Sequence, residues 1–341
     1  MQDGSYQPLV HRTALATTLV ALLPIAVGAL VTTMGAGMAF RDWPSSDGHS
    51  MLAYPWLASA GDKFVEHGHR LAGMLVGVFS IALAGVMFWK EPRRWVMVLG
   101  VLVLLGVIGQ GILGGLRVLE DRPDLAMIHG NFAACVFCLM AAVTLVTSRG
   151  WIEQSVAASG WREPAGALNS PGGLHPPLAG RDVSFLKLAA FMTVIAVYAQ
   201  YILGGRQRHL HDMLHEHVAG AVVASMMVLA MAAVALRSRI EWLRRPAYAL
   251  LLLLLVQVAL GAGSWITKFG LASTGYMAVQ GSTLQLVIRS GHTVTGMLLL
   301  MTSVILLLRI VRVANVARAV ANSLASVPVS SGRLTAEGGA G

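Results

Sequence analysis

Residues 95–115 read WVMVLGVLVLLGVIGQGILGG, and Gln110 is their only strongly polar side chain. About 20 such residues are what an α-helix needs to cross a bilayer. Eight stretches of this kind can be placed in the chain, and together they predict an all-α polytopic membrane protein. We call them spans 1 to 8, at about 13–34, 68–89, 95–115, 126–147, 184–204, 217–236, 247–266 and 287–309.

The amino-acid composition indicates the same class of protein. Hydrophobic residues make up 56% of the chain and charged residues only 12%, whereas soluble domains have about 25% charged residues. The formal net charge of +9 does not indicate a nucleic-acid partner, because the basic residues are spread over short loops. Span 1 is too long, and too poorly followed by small residues, for a cleaved signal peptide, so we expect it to be retained.

The distribution of basic residues predicts the orientation. Basic residues follow spans 2, 4, 6 and 8, and the first of these loops contains Lys90, Arg93 and Arg94. Loops rich in Lys and Arg stay in the cytoplasm. The loops after spans 1 and 3 are near neutral, with Arg41 beside Asp42, for example. We therefore predict a multi-pass protein of the cell (plasma) membrane with both termini cytoplasmic.

The chain divides at a Pro- and Gly-rich stretch, which has the composition of a flexible linker. This division predicts two pseudo-symmetric four-helix bundles. The predicted units are an N-terminal half at 1–150, an inner linker at 151–182, a C-terminal half at 183–320 and a disordered tail at 321–341.

The two halves repeat each other in sequence. His67 at the start of span 2 and His215 at the start of span 6 are 148 residues apart, and Gln110 and Gln257 are 147 apart. A near-constant offset indicates duplication. The same pattern also occurs near the ends of three odd-numbered spans. It reads Gln110-x-x-x-Gly114, Gln200-x-x-x-Gly204 and Gln257-x-x-x-Gly261.

Each even-numbered span has a histidine near its start, namely His69, His129, His217 and His292. The even spans all run inward, so these side chains should lie at one depth near the outer surface. In an up-down bundle the second and fourth helices are diagonal neighbours. Two imidazoles facing each other across a bundle supply the axial ligands of six-coordinate haem iron. We predict the iron-ligand pairs His69 with His129 and His217 with His292; histidines at a polar interface are the alternative.

Other histidines leave alternatives open. Residues two apart on a helix point to nearly opposite sides, so His67 and His69 cannot reach the same iron. His69 and His217 are preferred because they align with each other, but His215 stays an alternative to His217. His211 and His215, four apart, could share a divalent metal if span 6 began early, although a solvated loop is the simpler interpretation.

Glu66 is predicted to be catalytic. It lies on one helical face with His69 and Arg70, so its carboxylate could handle protons beside the iron site. Leu214 occupies the equivalent position in the second half, which predicts one reactive site and one electron carrier. A helix-start glutamate is the alternative. The predicted cofactor-binding residues, facing haem propionates, are Arg70, Arg117 and Arg206, with Arg208 similarly placed; ordinary interfacial arginines would look the same.

Two further patterns predict packing rather than chemistry. Cys135 and Cys138 lie inside span 4 without a second pair, so we expect buried packing instead of a redox or metal site. Two glycine pairs have the spacing that lets membrane helices approach closely. They are Gly73 with Gly77 and Gly111 with Gly115.

With these residues assigned, the chain resembles the haem A synthase family over essentially its whole length. The resemblance rests on residues 28–44, GALVTTMGAGMAFRDWP, and on Glu66-x-x-His69-Arg70, similar to the family's E-x-x-H-R motif. It implies haem O as substrate in the N-terminal half and haem B as cofactor in the C-terminal half. The implied reaction oxidises the C8 methyl group of haem O to a formyl group, giving haem A for a terminal oxidase.

The resemblance also implies partners and has departures. A haem O synthase would supply the substrate and a further partner the electrons, within membrane lipid; a homo-oligomer is an open alternative. Many bacterial members have a cysteine pair in the first outer loop, where this chain has Ala39 and Ser46. Val218 stands where the family pattern would place an arginine after His217.

Two other functions would fit the histidines. A non-catalytic dihaem b-type cytochrome would bind two permanent haems, but it gives no reason for Glu66 in one half only. A porphyrin transporter would be built from repeats around a site at the membrane midplane. Histidines near the outer surface argue against that second function.

The orientation can be tested with reporters. A reporter fused after Arg312 should be cytoplasmic and one inserted near Asp47 external, because the basic loops belong inside. Protease protection or a topology-sensitive enzyme fusion would measure this. The reverse labelling would place all four histidines at the inner surface and contradict the prediction.

Overall fold

A computed structural model of the chain describes residues 5–153, 181–238 and 240–325. These residues form eight spans long and apolar enough to cross a membrane, and they contain no strand beyond isolated bridges. The all-α, eight-span prediction is therefore confirmed. The helices are Pro8–Val20 and Leu22–Met34 in span 1, then Gly61–Lys90, Arg94–Leu119, Pro123–Val146, Arg181–His209, Leu214–Arg237, Glu241–Phe269 and Thr283–Ala325 in spans 2 to 8.

Most helices extend beyond the predicted apolar stretches. The helix of span 2 begins at Gly61 rather than near 68, because its first turns are polar but still helical. His69 therefore lies about two turns inside its helix. The helix of span 8 continues to Ala325, so the predicted tail from 321 begins too early, since its Ala-rich start favours a helix. Most of the predicted linker, 154–180, and residues 326–341 lie outside the described residues.

Span 1 is interrupted at Ala21, and Pro24 explains the interruption. Proline has no N–H, so the carbonyl of Val20 loses its usual helical partner. One helix ends at Val20 and the next begins at Leu22. The two segments stay connected through hydrogen bonds from Ala21 N to Thr17 O and from Ile25 N to Ala21 O.

The spans pack with the same order of neighbours in each half. Spans 1 and 3 both pack on spans 2 and 4, and spans 5 and 7 both pack on spans 6 and 8. Span 8 also packs on spans 1 and 4, and span 4 packs on span 5. Spans 8 and 4 are accordingly the most buried, at 50% and 44%, against 11% for span 7. Large apolar side chains on the other faces are exposed, as a lipid-facing surface requires.

The halves also meet at their inner ends. Trp151, just after span 4, packs on Trp242 at the start of span 7, with ring centroids 6.3 Å apart. Arg309 lies over the Trp242 ring and donates a hydrogen bond to its carbonyl at 2.7 Å. Arg312 lies over Trp151. The basic end of span 8 therefore holds both tryptophans at this end of the helices.

A buried ion pair closes the loop between spans 2 and 3. Arg93 Nε donates to Glu91 Oε1 at 2.7 Å, and the two side chains are 4% and 1% exposed. Arg93 Nη1 also donates to Val146 O at the end of span 4, at 3.0 Å. The pair thus ties three spans together.

Removing one partner of this pair should destabilise the protein strongly. Glu91→Ala leaves the Arg93 charge buried and unpaired, which costs about 3–5 kcal/mol. Glu241→Ala is the control, because its pair with Arg244 is exposed and such pairs contribute about 0–1 kcal/mol. The midpoint temperature of thermal unfolding in detergent, followed by circular dichroism, should be much lower for Glu91→Ala than for the wild-type protein. Glu241→Ala should unfold close to the wild-type temperature. Equal midpoints would contradict the prediction.

Candidate functional site

The structure brings the predicted histidines together in two pairs. The ring centroids of His69 and His129 are 6.3 Å apart, with an angle of 83° between the rings. The rings of His217 and His292 are also 6.3 Å apart, at 90°. His215 is exposed and outside the pair, so His217 is the member of span 6 that meets span 8.

The spacing within each pair fits a metal ion bound between the two rings. Two metal–nitrogen bonds of roughly 2.0–2.1 Å, plus the distance from each nitrogen to its ring centre, add up to roughly 6 Å. No group of three or more His, Cys, Asp and Glu side chains in the described residues could hold a metal. A metal with only two protein ligands needs its other ligands from elsewhere, and haem iron takes four from the porphyrin. The residues present therefore fit haem.

Each paired histidine ring rests on a glycine of the preceding span. A Cβ atom at Gly28 would lie 2.7 Å from Cε1 of His69, closer than real contacts allow. The equivalent distances to Cε1 are 3.3 Å for Gly114 and His129, 3.0 Å for Gly204 and His217, and 3.1 Å for Gly261 and His292. The rings can come this close to a helix backbone only because these four residues have no side chain.

The glutamine of the repeated pattern holds the histidine of the next span. Gln110 Nε2 donates to His129 O at 3.2 Å, and Gln200 Nε2 donates to His217 O at 2.8 Å. The Gln-x-x-x-Gly pattern therefore forms one side of a contact between two helices. The histidine of the next span forms the other side. Pro24 occupies the glutamine position before Gly28, so His69 has no such partner.

The two pairs differ in the surroundings of their Nδ1 atoms. His217 Nδ1 lies 2.9 Å from Gln200 Nε2, and His292 Nδ1 lies 3.2 Å from the carbonyl of Gln257. Nδ1 of His69 and Nδ1 of His129 are buried and have no close hydrogen bond, but each of these rings also interacts with a backbone carbonyl, that of Pro24 for His69 and that of Gln110 for His129. Such contacts fix the orientation of a ligating imidazole. All four rings therefore face the residue four positions before their glycine, and the contacts are closer in the second pair.

Glu66 anchors the loop that follows span 1. Its carboxylate is buried, at 3% exposure, and accepts hydrogen bonds from Ala39 N at 2.7 Å and Phe40 N at 3.2 Å. Arg70 Nη2 donates to the same carboxylate at 2.7 Å. Its predicted catalytic role is not tested by these contacts and stays a prediction.

Further contacts hold the same loop, residues 35–60, against the outer ends of spans 2 and 3. Arg70 Nη1 donates to the carbonyls of Asp42 and Ser45, and Arg117 Nη1 donates to Gly37 O at 2.8 Å. The Trp43 ring lies directly on Gly115. The corresponding connection in the second half, after span 5, is only residues 210–213, and the longer connection of that half, residues 270–282, lies between spans 7 and 8. The loop 35–60 is longer than either.

His67 belongs to this loop contact and not to the iron-ligand pair. It is buried, its Nδ1 lies 3.0 Å from Ser46 Oγ, and its ring packs on Tyr54 at 4.6 Å. The prediction that it is a bystander agrees with these contacts. The sequence offered no signal for its partner, which lies 21 residues away.

The loop also has an ordered acidic turn. Slight burial acts to raise the pKa of Asp42, but hydrogen bonds from the N–H groups of Gly48 and Asp47 outweigh it and lower that pKa. Asp47 pairs with Lys63 of span 2 at 2.5 Å. The turn is therefore anionic at neutral pH and attached to span 2.

The predicted cofactor-binding arginines all have protein partners. Arg70 and Arg117 hold the first outer loop, and Arg206 pairs with Asp212. Arg208 instead reaches spans 1 and 8. Their predicted role towards propionates stays a prediction.

The packing predictions were only partly right. Cys138 is buried, but Cys135 is exposed and lies 3.2 Å from the Tyr198 hydroxyl; both thiols are free. Nothing lies within 4 Å of a Cβ placed at Gly73, Gly77 or Gly111. The predicted close approach at those three positions is wrong, because the spacing alone does not say which face meets another helix.

Comparisons with known proteins relate the N-terminal part of the chain to one family. Residues 1–141 match the model of COX15-CtaA, described as cytochrome oxidase assembly protein. A heme A synthase of Symbiobacterium thermophilum is 32% identical over 145 residues, which are 40% of this chain and 44% of that protein. These matches support the haem A synthase family. A heme A synthase of Shouchella clausii is 31% identical over 142 residues, which cover 40% of this chain and 44% of that protein.

The similarity to the haem A synthase family thus covers part of the chain. The matches span about 44% of the length of these relatives. The family match includes Glu66, His69 and His129 but ends before His217 and His292. No solved structure matches the chain significantly.

The glycine contact can be tested at the first pair. Gly28→Ala should displace the His69 ring and lower haem affinity roughly 10–100-fold, as loss of ligand positioning commonly does. Gly111→Ala is the control, because it meets nothing within 4 Å and alanine favours a helix. Haem B titration of purified His292→Ala protein, in which only the first pair remains, would measure the affinity. Equal affinities of the two glycine variants would contradict the prediction.

Proposed function

We propose that this protein is a haem A synthase, which oxidises the C8 methyl group of haem O to a formyl group through successive hydroxylations. The observation that carries the proposal is that two histidine pairs of equal spacing have unequal surroundings. The Nδ1 atoms of the second pair have the closer hydrogen-bonding contacts, and the first pair alone lies beside the loop of residues 35–60. Family members named heme A synthase support the same role.

The first pair is proposed to hold the substrate. A substrate must enter and its product must leave, which suits ligands that are held less firmly. His69 and His129 have no close hydrogen bond at Nδ1, only longer contacts with the carbonyls of Pro24 and Gln110, so moving their rings costs less in hydrogen bonds than in the second pair. The outer loop, attached through Glu66 and Arg70, would limit the access of water to this pair.

The second pair is proposed to hold haem B permanently. Gln200 and Gln257 contact the imidazoles of His217 and His292, and such partners fix a ligand in place. Haem B bound there would supply electrons to the first site. These residues keep their rings in a position suited to a resident cofactor.

Glu66 is proposed to accept or relay protons during the oxidation. Its carboxylate lies three residues from His69 on the same helix and is already oriented by two backbone N–H groups and Arg70. A fixed carboxylate is what proton transfer at a defined atom requires. The same contacts mean that Glu66 also has a structural role in the loop.

The setting follows from the eight spans. The chain is a multi-pass membrane protein, and we propose the plasma membrane with cytoplasmic termini. A haem O synthase would supply the substrate, and a separate electron donor would reduce the second site.

Substitution of Glu66 tests the proposed chemistry. Glu66→Gln should lower haem A formation about 10²–10⁴-fold, with haem O or a hydroxylated intermediate accumulating. The amide also places an N–H group against existing donors, so it loosens the loop. Ser46→Ala is the matched control, because it removes the bond to His67 in the same loop and leaves the carboxylate intact. Extraction and chromatography of haems, from cells supplied with haem O, would measure the products.

The outcomes separate an enzyme from an electron carrier. His217→Met should disturb the second haem while substrate still binds at the first pair. If Glu66→Gln makes haem A as fast as Ser46→Ala, the carboxylate only anchors the loop. If the wild-type protein binds two haems and makes no haem A under reducing, aerobic conditions, the dihaem b-type cytochrome becomes the better description.

A further inference from the structure

Arg208, near the outer end of span 5, reaches across to the other half. Its Nη2 donates to the carbonyl of Ala29 and, at 2.8 Å, to Thr33 Oγ1, both in span 1. Its Nη1 donates to Thr293 Oγ1 in span 8. All three acceptors are neutral, and within the described part of the chain no carboxylate forms an ion pair with Arg208.

The partners of Arg208 are next to both histidine pairs. Thr293 directly follows His292, and Ala29 directly follows Gly28, on which the His69 ring rests. Ser290 of span 8 donates to the same two groups of span 1, at 3.3 Å and 3.1 Å. Of the four paired histidines, however, only His292 interacts electrostatically with Arg208, whereas Arg117 is the cation near His69 and His129. The guanidinium group therefore lies beside the second candidate haem site, where span 8 meets span 1.

Arg206, two residues earlier, provides a direct contrast. It forms an ion pair with Asp212, and its side chain is 35% exposed. Its positive charge is therefore compensated by a carboxylate and screened. No carboxylate compensates the charge of Arg208 among the described residues, and its side chain lies between membrane-spanning helices, where charges interact strongly.

We propose that Arg208 is a positioning residue of the second site, whose uncompensated charge raises the reduction potential of iron bound between His217 and His292. This inference rests on the proposed function, because it requires haem at that pair. Ferric iron carries one more positive charge than ferrous iron, so a nearby cation disfavours the ferric state. Local charge and burial are among the ways a protein sets haem potentials. The hydrogen bonds of Arg208 also hold spans 1, 5 and 8 in one arrangement.

The test measures the midpoint potential of haem B bound to the purified full-length protein, by spectroelectrochemical titration. His129→Ala leaves only the second pair intact, and His292→Ala leaves only the first, so each site can be measured alone. Arg208→Gln should shift the midpoint to lower potential in the His129→Ala background, and much less in the His292→Ala background, because Arg117 is the nearer cation at the first pair. Arg208→Lys, which keeps the charge, and Arg206→Gln, which removes a compensated charge, should stay close to the parent.

A second variant removes the effect without deleting the arginine. Thr33→Asp places a carboxylate where Arg208 already donates a hydrogen bond, so it should neutralise the charge and keep the contact between the halves. It should lower the midpoint of the second site as Arg208→Gln does. If Arg208→Gln is not monodisperse, Thr33→Asp provides the test.

The outcomes distinguish this inference from the proposed function. Midpoints of Arg208→Gln and Thr33→Asp equal to that of Arg206→Gln overturn the inference while leaving haem binding in place. An equal shift in both backgrounds overturns the assignment of the charge to the second site. A wild-type protein that binds no haem B at either pair overturns the inference together with the proposed function.

Discussion

The contact between an imidazole ring and a glycine of the neighbouring helix is the constraint on which the rest of the site depends. Each of the four rings uses its Cε1 edge in this way, at Gly28, Gly114, Gly204 and Gly261. The contact sets the distance between two adjacent spans and turns the ring towards the diagonal span. Because both histidines of a pair are positioned by the same kind of glycine contact, the ring centroids are 6.3 Å apart in both pairs. A larger residue at any of these glycines would push the ring towards its partner and narrow the space between them.

The charged groups near the membrane-spanning helices are placed according to what burial costs. Glu66 and Glu91 are buried, and each has an arginine within hydrogen-bond distance, as a buried carboxylate requires. Glu91 is at the inner end, where it fixes a short loop. Glu66 is at the outer end, where it fixes a long loop beside the first pair. The same interaction thus stabilises the fold at one end and shapes the site at the other.

Much of the fold could be predicted from sequence, because the bilayer restricts the choice so strongly. Eight apolar stretches of sufficient length predicted the membrane-spanning helices. The repeat that relates His69 to His217 predicted the two histidine pairs. The helix starts were less accurate, since polar first turns such as that at Gly61 are still helical. The roles of Gly28 and Ser46 could not be predicted, because both depend on residues distant in sequence, His69 and His67. The glycine spacing in span 2 was misleading, since periodicity defines a face but not its neighbour.

The difference between the halves is what makes the duplicated arrangement useful. A duplication begins with two identical sites. Identical sites would bind either two permanent cofactors or two exchangeable ligands. Here Pro24 replaces the glutamine that precedes each of the other three glycines, and it also interrupts span 1. The first pair therefore loses a hydrogen-bonding partner and gains a less regular helix beside His69, while the loop after that helix is long enough to be held by Glu66. The second half keeps its glutamines and has only residues 210–213 at the corresponding connection. The halves thus differ in the glutamine contact and in the loop beside the histidines, and the proposed division into an exchanging substrate site and a resident cofactor site rests on these differences.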